Sequence, residues 1–456
     1  MSLAAVRRLA ARLGVNRAVA FTLLANGWSA ASGIVTLLLL AGRMTRDERG
    51  FYYTFSGFLN ATILLELGLA YVILQFASHE RARLEWTPAG LLVGDPSAKA
   101  RLASLLRMSL RWYGAVAVLI ALTVLPAGLV FFGHYTPGGM TVAWRWPWAA
   151  VALVGAFSML LNPVLAVVEG SGRVTEVARL RAASNVASSV TLWLALWLRG
   201  GLYAAAVCGL TVLVWGGAWL WHTQRAFLAD LLAERSAASV PLSWRGEVWP
   251  FQWRIALSGV SSYVIFQMFN PVLFATHGPA AAGRMGLSLS AMGAISALAL
   301  AWMTTKLPAF GGLIARRDWA GLDSLFFPTL WRSSAVALVC AAAFWGGALG
   351  LRRLGLPVGS LLLTPLPLGL LAATSVINHL VGALGLYLRA HKKEPLLGLS
   401  LTVAGLVGLS NLLLVRPYGA TGMMAGYFAI TLLVGLGGGT WLFAQRRREW
   451  HTEAAP

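Results

Sequence analysis

Charged side chains are scarce in this sequence. Asp, Glu, Lys and Arg make up only 11% of the 456 residues, whereas 58% are hydrophobic. A soluble globular domain carries roughly 25% charged residues. The shortage of charge excludes a water-facing surface over most of the chain, and it predicts that lipid is the main solvent.

Acidic residues and cysteines are rarer still. The chain has 16 Asp and Glu against 36 Lys and Arg, and its two cysteines are Cys208 and Cys340. Both cysteines lie in apolar runs without a CxxC spacing or neighbouring histidines, which argues against redox or zinc chemistry and predicts core packing. There is no phosphate-binding P-loop, so direct ATP drive is not expected. We expect no cofactor and no metal.

Long apolar runs fill most of the chain. A transmembrane helix needs about 20 mainly apolar residues to cross the hydrocarbon core. The stretches that meet this requirement are 18–42, 51–76, 110–133, 147–168, 182–198, 201–221, 255–276, 283–305, 332–350, 359–388, 396–415 and 421–443. The sequence therefore predicts an all-α integral membrane protein with about twelve transmembrane helices.

The distribution of positive charge predicts the orientation. A net charge of +20 is compatible with a nucleic-acid partner, but the basic residues stand singly or in short groups between apolar runs. With the N-terminus inside, 27 of the 36 lysines and arginines fall on the inner side and nine on the outer side. This excess follows the positive-inside rule, so both termini are predicted to be cytoplasmic and no nucleic-acid partner is expected.

The polar stretch 222–254 divides the spans into two sets of six. The predicted units are an N-lobe over 1–221 that starts with an interfacial helix, a cytoplasmic linker over 222–254, a C-lobe over 255–445, and a basic cytoplasmic tail over 446–456. The fourth span of each half ends in a short basic loop, and the next span carries an asparagine, Asn185 or Asn411. This similarity between the two halves favours a parallel duplication of one six-helix unit.

Three short segments carry a family resemblance. They are Glu66-Leu67-Gly68-Leu69-Ala70 leading to Gln75-Phe76-Ala77-Ser78-His79-Glu80, the turn Glu169-Gly170-Ser171-Gly172-Arg173, and the turn Leu388-Arg389-Ala390-His391-Lys392-Lys393-Glu394-Pro395. The first resembles the end of the second span in Wzx-type polysaccharide flippases. The two turns resemble those of the multidrug/oligosaccharidyl-lipid/polysaccharide exporter (MOP) superfamily, and the similarity in span order covers nearly the whole chain.

The resemblance implies a MATE-like fold, with two six-helix lobes around a central cavity that opens to each side in turn. It implies a flippase of the bacterial inner membrane for an oligosaccharide on undecaprenyl diphosphate, as in O-antigen and other polysaccharide biosynthesis. The implied partners are this lipid-linked oligosaccharide, membrane lipids, Na⁺ or H⁺ as a coupling ion, and other polysaccharide-assembly membrane proteins.

Ionisable residues inside or beside the spans are the first candidates for function, because burying a charge in a membrane is costly. Glu66 is predicted to couple transport to a cation or to gate it, or to be capped by a neighbouring helix. His79 follows as a second gating candidate, or as an interfacial histidine without a role. Arg254, Arg284 and Lys306 are candidate contacts for a diphosphate, although Arg254 and Lys306 also satisfy the positive-inside rule.

Uncharged polar residues within the spans are the second set. The seventh span carries Ser258, Ser261, Ser262, Gln267 and Asn270, closed by Pro271, which permits a kink in a moving gate. Cavity lining and polar contacts between helices are the two explanations for such a strip. The remaining candidate substrate contacts are Asn26, Gln75, Asn378 and His379.

Two other functions remain open. A drug or metabolite antiporter on the same fold would use Glu66 as its titratable carboxylate. A membrane glycosyltransferase would use acidic residues such as Asp47 and Glu48 in the first outer loop, but that loop is short and carries three arginines. Spans rich in Asn and poor in acids favour the flippase.

Overall fold

The computed structural model describes residues 17–66, 68–136, 141–234, 249–391 and 395–452, and nearly all of them are helical. The α-helices are α1 (Arg17–Arg43), α2 (Arg46–Asn60), α3 (Ile63–Glu66), α4 (Leu69–Arg81), α5 (Pro96–Leu119), α6 (Leu125–Tyr135), α7 (Arg145–Ser158), α8 (Leu161–Gly170), α9 (Val174–Trp197), α10 (Tyr203–Trp219), α11 (Arg225–Ala233), α12 (Trp249–Gln267), α13 (Phe269–Thr304), α14 (Leu307–Ala315), α15 (Trp319–Arg353), α16 (Pro365–Ala390), α17 (Leu397–Ile430) and α18 (Gly437–Thr452). Short π segments at Ile120–Val124, Leu220–Gln224 and Thr431–Leu436 join neighbouring helices, and Pro357–Leu361 forms a 3₁₀ turn.

The helices confirm the predicted all-α membrane fold. Within the described residues, seven helical stretches are long and apolar enough to cross a membrane, and a shorter apolar one covers Gly27–Arg43. Two of the seven, Ala256–Ile314 and Leu397–Thr452, each contain two predicted spans. Each of these pairs is folded at a glycine with positive φ, Gly278 (φ 79°) or Gly419 (φ 55°), a conformation that glycine adopts without steric cost.

The second predicted span is a broken helix rather than a continuous one. α2 ends at Asn60, α3 is a single turn, and α4 restarts after Gly68, whose φ is 66°. The seventh span is broken at a similar point, because α12 ends at Gln267 and α13 begins at Phe269. Pro271 lies in the first turn of α13, where a missing N–H disturbs no helical hydrogen bond.

A small hairpin at the predicted inner side was not predicted. Strands β1 (Leu84–Trp86) and β2 (Leu92–Gly94) pair antiparallel. The turn after α8 holds this hairpin, since the Ser171 carbonyl accepts hydrogen bonds from the Trp86 Nε1 (2.8 Å) and the Arg81 Nε (3.1 Å). The sequence motif around Ser171 therefore has a structural role.

The predicted linker and tail are partly helical. The linker begins as α11, and residues 235–248 lie outside the described residues. The tail belongs to α18, which is fastened to the body where the Arg447 Nε donates to Asp323 Oδ1 (3.2 Å) and the Tyr387 hydroxyl donates to the same oxygen (3.3 Å). The basic tail therefore packs against α15 and α16 as far as His451, whose ring stacks on Trp319 and whose Nε2 lies 3.0 Å from the Tyr387 hydroxyl.

Three tryptophans surround the start of α7: Trp144, Trp146 and Trp148. Only Trp146 is well exposed, at 78%, whereas Trp148 is fully buried and its Nε1 donates to the Leu125 carbonyl (2.9 Å).

Arg49, one of the nine basic residues assigned to the outer side, is 3% exposed and donates to the carbonyls of Ala41 (3.0 Å) and Met44 (2.9 Å). It therefore satisfies orphan carbonyls at the end of α1.

The two halves meet where α2 packs along the part of α13 that follows Gly278. Glycines allow the two backbones to touch. A Cβ on Gly50 would lie 2.0 Å from the Pro279 carbonyl oxygen, and a Cβ on Gly283 would lie 2.9 Å from the Arg46 carbonyl oxygen. A Cβ on Gly286 would enter the ring of Tyr53. This close helix contact lies at the end of the molecule that the charge distribution predicts to be outer, called the outer end below.

Candidate functional site

A cavity of about 680 Å³ lies between the halves, just inside that helix contact. Its volume falls in the range of about 300–1,000 Å³ that is typical of small-molecule sites. Its wall consists of Tyr52, Tyr53, Ser56, Asn60, Phe266, Gln267, Phe269, Asn270, Gly286, Leu289, Ser290, Met292, Gly293, Ser296, Leu300, Leu371, Ser375, Asn378, His379, Gly382 and Tyr427.

Both predicted lobes contribute to the wall. The first half supplies one face of α2, where Tyr52, Ser56 and Asn60 recur at four-residue intervals. The second half supplies the rest from α12, α13, α16 and α17. A site built in this way changes shape whenever the halves move relative to each other.

Amide and hydroxyl pairs order the polar part of the wall. The Asn60 Nδ2 donates to the Gln267 Oε1 (3.0 Å), a bond that joins the two halves next to the breaks of the second and seventh spans. The Asn378 Nδ2 donates to the Tyr427 hydroxyl (2.7 Å). These side chains keep further donor and acceptor positions for a ligand.

His379 is deeply buried in the wall, at 4% exposure. Its Nε2 lies 3.0 Å from the Ser333 hydroxyl, and its Nδ1 is buried without a hydrogen-bond partner among the described residues. Buried polar atoms of this kind are costly unless a water or ligand satisfies them. His379 therefore has unused hydrogen-bonding capacity beside the cavity.

The cavity wall carries no formal charge apart from any protonation of His379. No Asp, Glu, Lys or Arg appears among the described residues that line it. Tyrosines, amides and hydroxyls alternate there with Phe266, Phe269 and small residues. Such a wall can hydrogen-bond an uncharged polar ligand and stack against its apolar faces.

The structure brings four predicted substrate contacts together in this wall: Gln267, Asn270, Asn378 and His379. The serines of the seventh-span strip do not join them. Ser261 and Ser262 bond to carbonyls one turn earlier in their own helix, at 2.9 and 3.0 Å. Pro271 packs beside the cavity, with its ring carbons 3.2 Å from the position of a Cβ on Gly57.

Glu66 lies in the first half, away from the cavity wall. Its Oε1 accepts a hydrogen bond from the Tyr113 hydroxyl (2.7 Å), which links the short helix α3 to α5. Gln75 and His79 are exposed on α4 and do not line the cavity. Their predicted coupling and substrate roles stay predictions.

The predicted phosphate contacts are also outside the wall. Arg284 lies at the outer end, in electrostatic contact with Arg46 and Arg352. Lys306 precedes α14 at the opposite end of α13 and is half-buried. The side chains of Arg254 and Asn26 lie outside the described residues.

Sequence reasoning missed several residues that complete the wall. Ser375 on α16 lies between Leu371 and the predicted Asn378 at helical spacing, and Ser290 and Gly293 on α13 follow Gly286 in the same way. Spacing of i, i+4 and i+7 places residues on one helix face. This signal was readable in the sequence, whereas Tyr427 had no comparable pattern.

Solved structures of transporters share this architecture. A multidrug resistance MATE family transporter of the MOP superfamily, in an inward-facing conformation, is 14% identical, with 93% of this chain and 100% of that chain covered and a TM-score of 0.60. The outward-facing conformation of such a transporter is 14% identical over 97% of this chain and 98% of that chain, with a TM-score of 0.56. The lipid II flippase MurJ, in an inward closed conformation, is 11% identical over 93% of this chain and 87% of that chain, with a TM-score of 0.60.

These likenesses establish the fold of MOP superfamily transporters for this chain. No protein-family model matches the sequence, and no curated protein matches it. The resemblance to Wzx-type flippases is thus supported at the level of the superfamily fold, and the fold alone does not choose between drug and lipid-linked substrates.

Proposed function

We propose that this protein is a flippase that moves a lipid-linked oligosaccharide across the bacterial inner membrane by alternating access of its two lobes. The observation that carries the proposal is the uncharged, amide- and tyrosine-rich wall of the cavity between the lobes. Sugar hydroxyls need many donors and acceptors, and the ring faces of a sugar suit aromatic side chains. The glycan occupies the cavity, while the polyprenyl tail stays in lipid.

The alternative is an ion-coupled drug or metabolite antiporter. It draws support from the multidrug transporters that share the fold and from Glu66, whose carboxylate is held by Tyr113 in the first half. Organic cations favour carboxylates and aromatic faces. The wall supplies aromatic rings without a carboxylate among its described residues, so we favour the glycan.

Proteoliposomes test the proposal. The protein is reconstituted with a fluorescent polyprenyl-diphosphate oligosaccharide, and transfer between leaflets is followed by quenching from outside. We expect Asn378→Leu to slow transfer by about 2- to 10-fold, because each lost hydrogen bond is worth about 0.5–1.5 kcal/mol. Ser262→Ala is the matched control, because among the described residues its hydroxyl bonds to the Ser258 carbonyl of its own helix and lies outside the cavity wall.

Two outcomes oppose the proposal. The first is transfer by Asn378→Leu at the wild-type rate when folded protein is equal in both preparations. The second is uptake of an organic cation such as ethidium under an ion gradient, without any transfer of the glycolipid, which favours the antiporter.

A further inference from the structure

Three arginines from separate helices converge at the outer end. Arg46 begins α2, Arg284 lies one turn into the part of α13 that follows Gly278, and Arg352 lies in the last turn of α15. Arg284 is near enough to feel the positive charges of both others, its neighbour Gly283 packs against the Arg46 backbone, and its carbonyl accepts a hydrogen bond from Ser288. We call Arg46, Arg284 and Arg352 the outer arginine cluster.

The cluster is built around the connector that precedes α16. The Arg46 Nη2 donates to the Ser360 hydroxyl (3.3 Å), and the Arg352 Nη2 donates to the carbonyls of Leu362 (2.8 Å) and Leu363 (2.9 Å). The Leu363 N–H donates to Ser288, one turn beyond Arg284 (3.1 Å). These contacts hold guanidinium groups from both halves around one short segment.

The positive charge of the cluster is not neutralised by an ion pair within the described residues. Asp47 and Glu48 follow Arg46, but Glu48 accepts from the Thr45 N–H (2.8 Å) in the capping box of α2. The Nε of Arg352 is buried without a hydrogen-bond partner among the described residues. Like charges brought together repel each other, so an anion stabilises this arrangement.

The cluster adjoins the cavity. Arg284 precedes the cavity residue Gly286 by two positions, which is about 3 Å along a helix. The same helix contact that closes the outer end, Gly283 against the backbone of Arg46, separates the two sites. A group that leaves the cavity outward therefore meets the arginines next.

We propose that the outer arginine cluster binds a phosphate group. Arginine forks match phosphate oxygens with two parallel hydrogen bonds. Two sources carry this chemistry at the outer end: the diphosphate of the transported lipid, which rests on the proposed function, and the head group of a phospholipid in the outer leaflet. With the diphosphate of the transported lipid as its ligand, the cluster is the exit site for the part of the cargo that the neutral cavity does not hold.

Calorimetric titration of the purified full-length protein in detergent tests the site with inorganic pyrophosphate as the probe. We expect saturable binding that Arg284→Gln and Arg46→Gln each weaken by about 10- to 100-fold, because hydrogen bonds to charged groups are the strong ones. Arg145→Gln is the control, since that guanidinium lies near Trp144 and outside the cluster. Wild-type affinity in both cluster variants, or no binding to the wild-type protein, overturns the proposal.

Nanodiscs distinguish the sources. Pyrophosphate affinity is compared in discs of phosphatidylcholine alone and in discs with added phosphatidylglycerol. Competition by phosphatidylglycerol that depends on Arg284 supports the phospholipid head group, and unchanged affinity supports the cargo diphosphate. A protein that transfers the glycolipid but binds no pyrophosphate contradicts the cluster proposal alone, whereas Arg284-dependent binding without transfer contradicts the proposed function alone.

Discussion

Asn60 and Gln267 meet side chain to side chain although 207 positions separate them and they belong to different halves. Each amide has both a donor and an acceptor, so a sugar hydroxyl can replace either partner of this bond. Ligand binding then competes with a contact that joins the halves. At the scale of residues, we infer that this pair connects ligand recognition in the cavity with movement of the lobes.

Glu66 is the residue on which the coupling hypothesis depends. In proteoliposomes with an imposed pH gradient, we expect Glu66→Gln to abolish the stimulation of glycolipid transfer, because the amide cannot accept and release a proton. Transfer without a gradient should persist, since Glu66 lies outside the cavity wall. The initial rate of transfer with and without the gradient is the measurement.

Tyr113→Phe is the control for this prediction. It removes the hydroxyl that donates to Glu66 and keeps the carboxylate, so the response to the gradient should remain. A response of Glu66→Gln equal to that of the wild-type protein contradicts a coupling role and leaves Glu66 as a structural partner of Tyr113.

At the scale of elements, the contact of α2 with α13 decides whether the outer end is closed. Gly50→Ala places a Cβ 2.0 Å from the Pro279 oxygen. Overpacking costs about 1–3 kcal/mol, which changes the ratio of closed to open states by about 5- to 150-fold. The test uses a protein with Cys208→Ser and Cys340→Ser, in which Ser375→Cys places a single cysteine in the cavity wall. An impermeant maleimide added from outside should label this cysteine faster when Gly50→Ala is also present.

Gly259→Ala serves as the matched control, because a Cβ on that helical glycine meets nothing within 4 Å. Its labelling rate should equal that of the parent protein. Size-exclusion profiles identify any variant that fails to fold. Equal labelling of folded Gly50→Ala and Gly259→Ala contradicts the assignment of this helix contact as the outer closure.

The sequence predicted helices well and helix breaks poorly. Apolar runs of about 20 residues identify spans because lipid cannot hydrogen-bond an exposed backbone. The breaks after Asn60 and Gln267 lie within such runs. The backbone groups that a break frees are satisfied by neighbouring parts of the fold, so the local composition does not reveal the break. The hairpin at Leu84–Gly94 is short and lies beside a basic segment, so its pattern was not distinctive.

Four polar residues of the site were predictable for a similar reason. Gln267, Asn270, Asn378 and His379 are polar residues within apolar spans, and burial in lipid makes such residues candidates for a cavity. Arg284 was predicted as a diphosphate contact that enters the eighth span from the outer side. The structure places it at the outer end and outside the cavity wall, so its role as a phosphate contact stays a prediction.

At the scale of the whole molecule, two halves of a MOP superfamily fold enclose one neutral cavity with an arginine cluster beyond its outer end. In the proposed function, a neutral wall for the glycan and a separate cationic site for phosphate divide the recognition of one cargo between two places. This division requires the halves to separate at α2 and α13, so that the cargo passes from one site to the other.

A reversible tether between the lobes tests this account most directly. A Cβ on Gly33 in α1 lies 4.0 Å from the Cβ of Ala294 in α13, within the range of about 3.5–4.5 Å for a disulfide. In the background of Cys208→Ser and Cys340→Ser, glycolipid transfer is measured for Gly33→Cys with Ala294→Cys before and after reduction. We predict that the oxidised protein stalls and that reduction restores transfer, whereas equal rates in the two states would contradict movement of the lobes as the transport step.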